Sequence, residues 1–364
     1  MVLLARSLLA RSYGLPTLVT RGIATTSKSR KYAFAFDIDG VLIKGSKKIH
    51  EAQQALKLLN GDNAANRRVP FVLLTNGGGV TEAEKAEQIS QLLDIEILPE
   101  QVIVSHSPMQ ALAKEYENKR VLIVGGKGRK CYEVAKGYGF KYVVTPDDVH
   151  NWQMSSWPYS LPNPSALTES AINDFSKTPI HAVMMFHDSR DWGRDMQIMI
   201  DALLAKDGVL GTLKTDFSVQ DVPLYFSNND LIWSNDFPTP RLGQGSFKTS
   251  LESVYHAYTG HKLKSVSYGK PHAATYKFAE DVLMGLLPRF TGEKTRKDLH
   301  VYAVGDNPAA DIKGANAYGW SSILVRTGVF QGTGNSAAYP ATKVCNHVQD
   351  AVEWAIMQEE SRKD

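Results

Sequence analysis

From Tyr32 onward, short apolar runs alternate with stretches whose apolar residues recur at helical spacing. "YAFAF" is followed by "EAQQALKLLN", "PFVLLT" by "TEAEKAEQISQLL", and "RVLIVGG" by "RKCYEVAKGYG". Strands alternating with helices predict βαβ units and a parallel sheet. Thr81 followed by Glu84 has the spacing of a capping box at the start of its helix. Two stretches break the alternation. Residues 146–179 carry five prolines and two tryptophans and are expected to form an irregular excursion, either a lid or a surface loop. Residues 286–299 are expected to be a polar connection before the strand "HVYAV", and "VQDAVEWAIMQEE" predicts a closing helix.

Length and charge narrow the class. A chain of 364 residues suggests two domains on a prior of roughly 100–200 residues each. No apolar run approaches the ~18 residues of a membrane-spanning helix. Six basic residues and no acidic one precede Asp37, so against a formal charge of +3 the rest of the chain is net −3. A slightly acidic body argues against a nucleic-acid partner, which needs clustered cations. The first thirty residues are rich in Arg, Ser and Thr, lack acids, and place Leu3, Leu4, Leu8 and Leu9 where they share a helical face. That composition predicts a mitochondrial transit peptide over 1–30, the other reading being a basic tail. Cys131 and Cys345 are too far apart for a metal motif or a disulfide framework, and both are expected to pack in apolar surroundings.

In an open parallel sheet, ligands bind beyond the carboxyl ends of the strands. "YAFAF" ends in Asp37 and Asp39, "FVLL" ends in Thr75, Asn76 and three glycines, Lys270 lies in "SYGKPH", and "VYAVG" ends in Asp306 with Asp311 five residues on. Two like charges about 4 Å apart repel by ~1 kcal/mol in water and ~4 kcal/mol near a protein surface, so converging carboxylates need a counterion. Mg²⁺ suits them, because it is held by a few carboxylates, water and substrate phosphate. Lys270 would neutralise part of the remainder, and Thr75 with glycine-rich backbone would grip an anion. The pattern points to phosphoryl transfer to an aspartate, with a second carboxyl two residues later serving as acid and then base.

"DIDGVL", "LLTNGGG", "GKP" and "GDNPAAD" resemble, in order, the four signature motifs of the haloacid dehalogenase-like (HAD) hydrolase superfamily. The long segment between the second and third motifs resembles the α/β cap of class IIA, the nitrophenyl phosphatase-like enzymes. "FSNNDLIW", "PRLGQGSFKTSLESVYHAYTG" and "DIKGANAYGWSSILVRTGVF" look like further stretches of that class, and the N-terminus places the chain nearest its mitochondrial eukaryotic branch.

The resemblance implies a three-layer, Rossmann-like α/β core with a parallel sheet from 31–107 and 241–340, an inserted cap from 108–240, and a C-terminal helix within 341–364. It implies that Asp37 is the nucleophile and a metal ligand, and that Asp39 is the general acid/base and binds the metal through its carbonyl. Thr75, Asn76 and Lys270 are implied for phosphate binding and Asp306 for the metal, with Asn307 and Asp311 in support. The implied cofactor is Mg²⁺ and the implied partner a small phosphorylated substrate. A homodimer through the cap, a matrix location and a link to glycerophospholipid metabolism are also implied by the resemblance. "NGGG" after Thr75 departs from the class, which often has a second asparagine there.

Within the cap, "FHDSRDWGRD" gathers His187, Asp188, Arg190 and Asp191 after a predicted strand. A solvated helix start accounts for these residues as well as substrate selection does. "VLIVGGKGRK" lacks the third glycine of a dinucleotide fingerprint, so a tight turn is expected. Two other function classes fit the fold: a non-catalytic binding or assembly protein, and a receiver-like phosphoacceptor. Intact acids in all four motifs oppose the first, and the chain length with its large insertion opposes the second.

Overall fold

The computed structural model describes residues 31–163, 174–233, 235, 237–291 and 299–361. The segment read as a transit peptide lies outside them, as do parts of 146–179 and 286–299.

The first apolar run becomes the centre of a sheet. In β1 (Lys31–Phe36), Phe34 and Phe36 stack 5.4 Å apart toward one face, while Ala33 and Ala35 turn to the other. The chain then makes a small hairpin, β2 (Ile43–Lys44) and β3 (Lys47–Lys48), and continues through α1 (Ala52–Leu59), β4 (Phe71–Leu74), α2 (Glu82–Leu93) and β5 (Val102–Ile103). Thr81 caps α2 through the expected box: its hydroxyl accepts from the Glu84 N–H at 3.1 Å, and Glu84 accepts from the Thr81 N–H at 3.1 Å.

A second unit comes next, with β6 (Arg120–Val124), α3 (Lys130–Gly137), β7 (Tyr142–Val144), α4 (Pro146–Trp152), β8 (Ala182–Met185), α5 (Trp192–Leu204) and β9 (Leu224–Phe226). It goes on through an antiparallel hairpin of β10 (Ile232–Trp233) and β11 (Arg241–Leu242), then α6 (Gln244–Thr259) and β12 (Val266–Ser267). The chain returns as α7 (Ala273–Thr291), β13 (Leu299–Gly305), α8 (Lys313–Tyr318), β14 (Ser321–Val325), β15 (Lys343–Cys345) and α9 (Val348–Ser361).

The first sheet is parallel throughout, in the order β15-β14-β13-β1-β4-β5. Helices α1, α2 and α9 cover the Phe34 face, and α7 and α8 cover the alanine face, giving three layers. The second sheet is also parallel, in the order β12-β9-β8-β6-β7, with α4, α5 and α6 on one face and α3 on the other. Cys345 is buried against the Phe34 face of the first sheet and Cys131 against the α3 face of the second.

Three expected boundaries differ from the structure. The cap does not end at 240: β12 pairs with β9, and Phe247, Leu251 and Tyr255 of α6 pack on Leu224 and Phe226. An amphipathic helix shows that it covers a sheet without showing which one. The expected excursion at 146–179 begins as α4 instead, because Thr145 forms a capping box with Asp148 and Pro146 occupies the first helical turn, where its missing N–H costs nothing. The polar connection expected from 286 is still helix to Thr291, held down by the buried Leu286 and Leu287.

Replacing Leu251 with Ala should remove a fully buried side chain at a cost of about 2–5 kcal/mol. Hydrogen exchange should then accelerate in β8 and β9; acceleration in β1 instead would place α6 on the first sheet.

Candidate active site

Sheet register sets the site. Phe36 pairs with Val304 of β13 and with Leu73 of β4, so the chain emerges from three adjacent strands at one level. Asp37, Thr75 and Asp306 follow those strands directly, on neighbours spaced ~4.8 Å apart. Lys270 arrives on the connection after β12.

The Lys270 ammonium lies 2.8 Å from Asp37 Oδ1 and 2.6 Å from Asp311 Oδ1, and it is almost fully buried. Burial alone would depress its pKa, but Asp311 and then Asp37 outweigh that and hold it above the ordinary lysine value. The same crowding acts on the acids. Burial, with Asp37 and Asp311 adding to it, raises Asp306, whereas burial raises Asp311 to about 6 against the pull of Lys270. Carboxylate oxygens of Asp37, Asp306 and Asp311 lie within 4.8 Å of one another. Three acids against one ammonium leave excess negative charge, and an all-oxygen set fits a hard divalent cation.

Each of the two acids after β13 is also fixed by backbone. Asp306 Oδ2 accepts the Val329 N–H at 2.5 Å, and Asp311 Oδ2 accepts the Asn307 N–H at 3.0 Å. The Asn307 side chain caps its own turn by accepting from the Ala309 N–H. Gly40 permits the close approach: at φ +88°, a Cβ there would lie 2.4 Å from Asp306 Oδ2. Asp39 stands outside the three-carboxylate group, beside Gly77 and the Thr75 hydroxyl. Burial raises its pKa against the pull of Lys85 and Lys270, which favours a protonated carboxyl.

Asn76 is expected on phosphate, but the structure assigns its side chain elsewhere. Its Oδ1 accepts the Lys270 N–H at 2.7 Å, and its Nδ2 donates to the Lys270 carbonyl and to Asp230 Oδ1, both at 3.0 Å. Asn228 Nδ2 in turn donates to the Asn76 carbonyl at 3.0 Å. With both amide hydrogens used inside the protein, Asn76 braces the lysine loop and the segment after β9.

The cap closes over these groups. Tyr138, just after α3, donates to Glu82 of α2 at 2.6 Å, Lys130 pairs with Glu84, and the Ser105 and Ser227 hydroxyls meet at 3.2 Å. Gly79 explains the glycine run after Asn76: a Cβ there would stand 2.4 Å from the His187 ring, so the cap loop seats directly on it. His187, Asp188 and Arg190 line the resulting cavity of about 450 Å³. Burial lowers His187 to about 3, leaving it neutral, and burial raises Asp188. Asp191 does not line the cavity; its carboxylate caps α5 by accepting from the Arg194 N–H at 3.1 Å.

Lys85, Asp230, Trp233, Arg241 and Gln244 also line the cavity, and the sequence pattern does not single them out. "FSNNDLIW" and "PRLGQG" carry the signal for most of them, but nothing in a linear pattern selects the inward-facing residues.

Fold and site together define a capped, Rossmann-like hydrolase. The haloacid dehalogenase-like hydrolase family model matches residues 34–141, and a second, HAD-hydrolase-like model matches residues 267–351. A mitochondrial hydrolase of Saccharomyces cerevisiae is 39% identical over 351 residues, covering 91% of this chain and 97% of its own. A cardiolipin synthase (CMP-forming)/mitochondrial hydrolase fusion protein of Schizosaccharomyces pombe is 42% identical over 355 residues, covering 96% of this chain; the chain spans 57% of that fusion. The p-nitrophenyl phosphatase of Archaeoglobus fulgidus shares the fold at TM-score 0.58 and 18% identity, over 90% of this chain and 99% of that one. A glycerol phosphate phosphatase of Mycobacterium tuberculosis, solved with magnesium, matches at TM-score 0.53 and 19% identity, over 89% and 77%. The chain belongs to the haloacid dehalogenase-like hydrolases, in class IIA beside the eukaryotic mitochondrial members.

Asp230 supplies a pH test. Burial raises it from 3.8 to about 7, so the folded state binds its proton more tightly than the unfolded state does. The stability that Asp230 contributes to the metal-free protein should therefore fall as the pH rises from about 4 to about 7 and level off above that, opposite in sign to the contribution of His187. Asp311 adds to the slope up to about 6. Asp230→Asn, which keeps an acceptor for Asn76, should remove this contribution, so that the wild-type-minus-variant stability in urea titrations run with EDTA shrinks over that pH range. Asn76→Ala should cost about 2–4 kcal/mol in the same assay, because it strips partners from several buried polar groups.

Proposed function

We propose that the protein is a Mg²⁺-dependent phosphatase that hydrolyses a small phosphomonoester through an aspartyl-phosphate on Asp37. The observation that carries this reading is the Lys270 ammonium held between Asp37 and Asp311 with Asp306 alongside, all at the carboxyl edge of the sheet. Asp37, Asp306 and the Asp39 carbonyl would hold the metal, with Asp311 within reach. Bound there, Mg²⁺ would screen the acids from one another and offset charge on the phosphate oxygens.

An Asp37 carboxylate oxygen forms the new P–O bond as the ester P–O bond breaks. Asp39 gives its proton to the departing alkoxide, so the alcohol leaves neutral. The resulting Asp39 carboxylate then takes a proton from water, whose oxygen attacks phosphorus. Cleavage of the P–O bond to Asp37 releases inorganic phosphate and restores the carboxylate. Lys270 and the Thr75 hydroxyl hold phosphate oxygens in this scheme, and the raised pKa of Asp39 suits its first task.

Three further cations support an anionic substrate. Lys85, Arg190 and Arg241 come from α2, the cap loop and β11 to line one cavity, where Lys85 acts on the Asp39 carboxyl and Arg190 on that of Asp188. The fusion of a similar chain to a cardiolipin synthase in fission yeast supports a glycerophospholipid-linked phosphomonoester as substrate. The names of both yeast relatives and the Arg-rich N-terminus support a mitochondrial location, in the matrix, and a cleaved leader.

Purified protein should hydrolyse p-nitrophenyl phosphate and glycerol 3-phosphate with Mg²⁺ and stop when EDTA is added. Asp39→Asn should lower kcat by ~10²–10⁴-fold. Asp37→Asn should be inactive and form no acid-stable phosphoenzyme on rapid quench; wild-type rates from Asp37→Asn would refute the scheme.

A further inference from the structure

The cavity changes character toward its mouth. Its floor is the acid cluster with Lys270, while one side of its opening is the β10–β11 hairpin, from which Ile232, Trp233, Arg241 and Leu242 all line it. The hairpin pairs with neither large sheet; Ile232 faces Leu242 and Trp233 faces Arg241 as an isolated two-stranded ribbon. Its apolar side chains are not withdrawn into a core. Leu231, Ile232, Trp233, Phe237 and Leu242 are between 37% and 60% exposed. Arg241 lies over the Phe237 ring at 4.6 Å, so the cation extends the apolar surface without breaking it.

Large apolar residues exposed singly are ordinary, but three of these five line one cavity, with Leu231 and Phe237 exposed in the flanking chain, and apolar surface gathered in this way marks a contact surface. This one is continuous with the cavity that holds the reacting groups. Three of its five apolar residues face the cavity, and Leu231 and Phe237 carry the surface outward.

We infer that the hairpin is the specificity element of this site and takes the apolar part of an amphiphilic phosphomonoester, one whose phosphate sits on the acid floor and whose chain lies along Ile232, Trp233 and Leu242. Turnover of such a ligand rests on the phosphatase reading, whereas its binding is measurable without turnover. A methylene laid on a one-sided surface loses about half of its water contact, so affinity should rise roughly twofold per added methylene over the first few.

Methyl-, butyl- and octylphosphonate, which cannot be hydrolysed at phosphorus, are titrated by calorimetry into the full chain with Mg²⁺, below their micellar concentrations. Affinity should climb through the series by roughly tenfold to a hundredfold. The double variant Leu231→Ser/Phe237→Ser, altered outside the cavity, should bind methylphosphonate as the wild type does while its dependence on chain length weakens. Trp233→Ser should flatten that dependence further.

Equal affinity across the series overturns the inference. So does length-independent affinity with the hairpin variant losing attachment to phosphatidylglycerol vesicles, which would make the ribbon a bilayer contact. Length-independent affinity with the variant shifting a dimer to monomer in sedimentation also overturns it, the second copy then being the occupant. Hydrolysis of glycerol 3-phosphate with a flat phosphonate series refutes the inference alone. A steep series without hydrolysis of any phosphomonoester refutes the phosphatase reading and leaves the binding site standing.

Discussion

The buried ion pairing of Lys270 with Asp37 and Asp311 is the interaction on which the arrangement at the sheet edge depends. Three acids delivered by β13 and β1 to one place would repel each other in a poorly solvated pocket, and one ammonium placed between two of them lowers that cost. It does not remove it: Asp306 and Asp311 still sit above their ordinary values because burial disfavours their charged forms. The residual imbalance is a physical reason for such a site to take up a divalent cation and a phosphate together. A lysine this buried must be held by its backbone as well as by its charge, and Asn76 does that from the neighbouring loop.

Asn76 also links the two units. Through Asp230 and Asn228 it joins the carboxyl edge of the core sheet to the chain leaving the cap sheet, and the Gly79–His187 contact adds a second junction a few residues away. The loop after β4 therefore lines the acid-floored cavity at Thr75 and meets the cap at Gly79. Substitutions in the cap loop that shift His187 would be felt at Thr75 by this short route.

Much of this is legible along the chain. β1, β4, β6 and β13 lie where continuous apolar runs place them, since a strand buried on both faces has no polar position to confuse the pattern. The Thr81–Glu84 box is a local hydrogen-bonding device and reads directly from the residues. Pattern and structure part where the deciding contact is distant in sequence. Helix α6 looks the same whichever sheet it covers, and the apolar face of Phe247, Leu251 and Tyr255 finds its complement on β9. Asn76 sits in a phosphate-loop motif, yet its hydrogen-bond capacity is consumed by residues some 150 to 190 positions away. Asp191 belongs to a charged cap segment and is used locally as a helix cap. Helix α4 departs from expectation for a different reason: its proline reads as a breaker although it stands at a helix start.

The sequence by itself determined the fold class and singled out the polar side chains at the strand ends, because apolar periodicity and motif order are encoded locally. Strand ends carrying Asp37, Thr75 and Asp306 need only a parallel sheet to bring them near one another. Tertiary structure alone decided which charges meet, which polar groups are already satisfied, and which residues of the cap face inward. Those outcomes depend on distances between segments far apart in the chain. The exposure of the hairpin beside the cavity is of this second kind: its apolar residues read in sequence like any strand, and only the absence of a covering layer over them, among the described residues, marks them as a surface for a ligand.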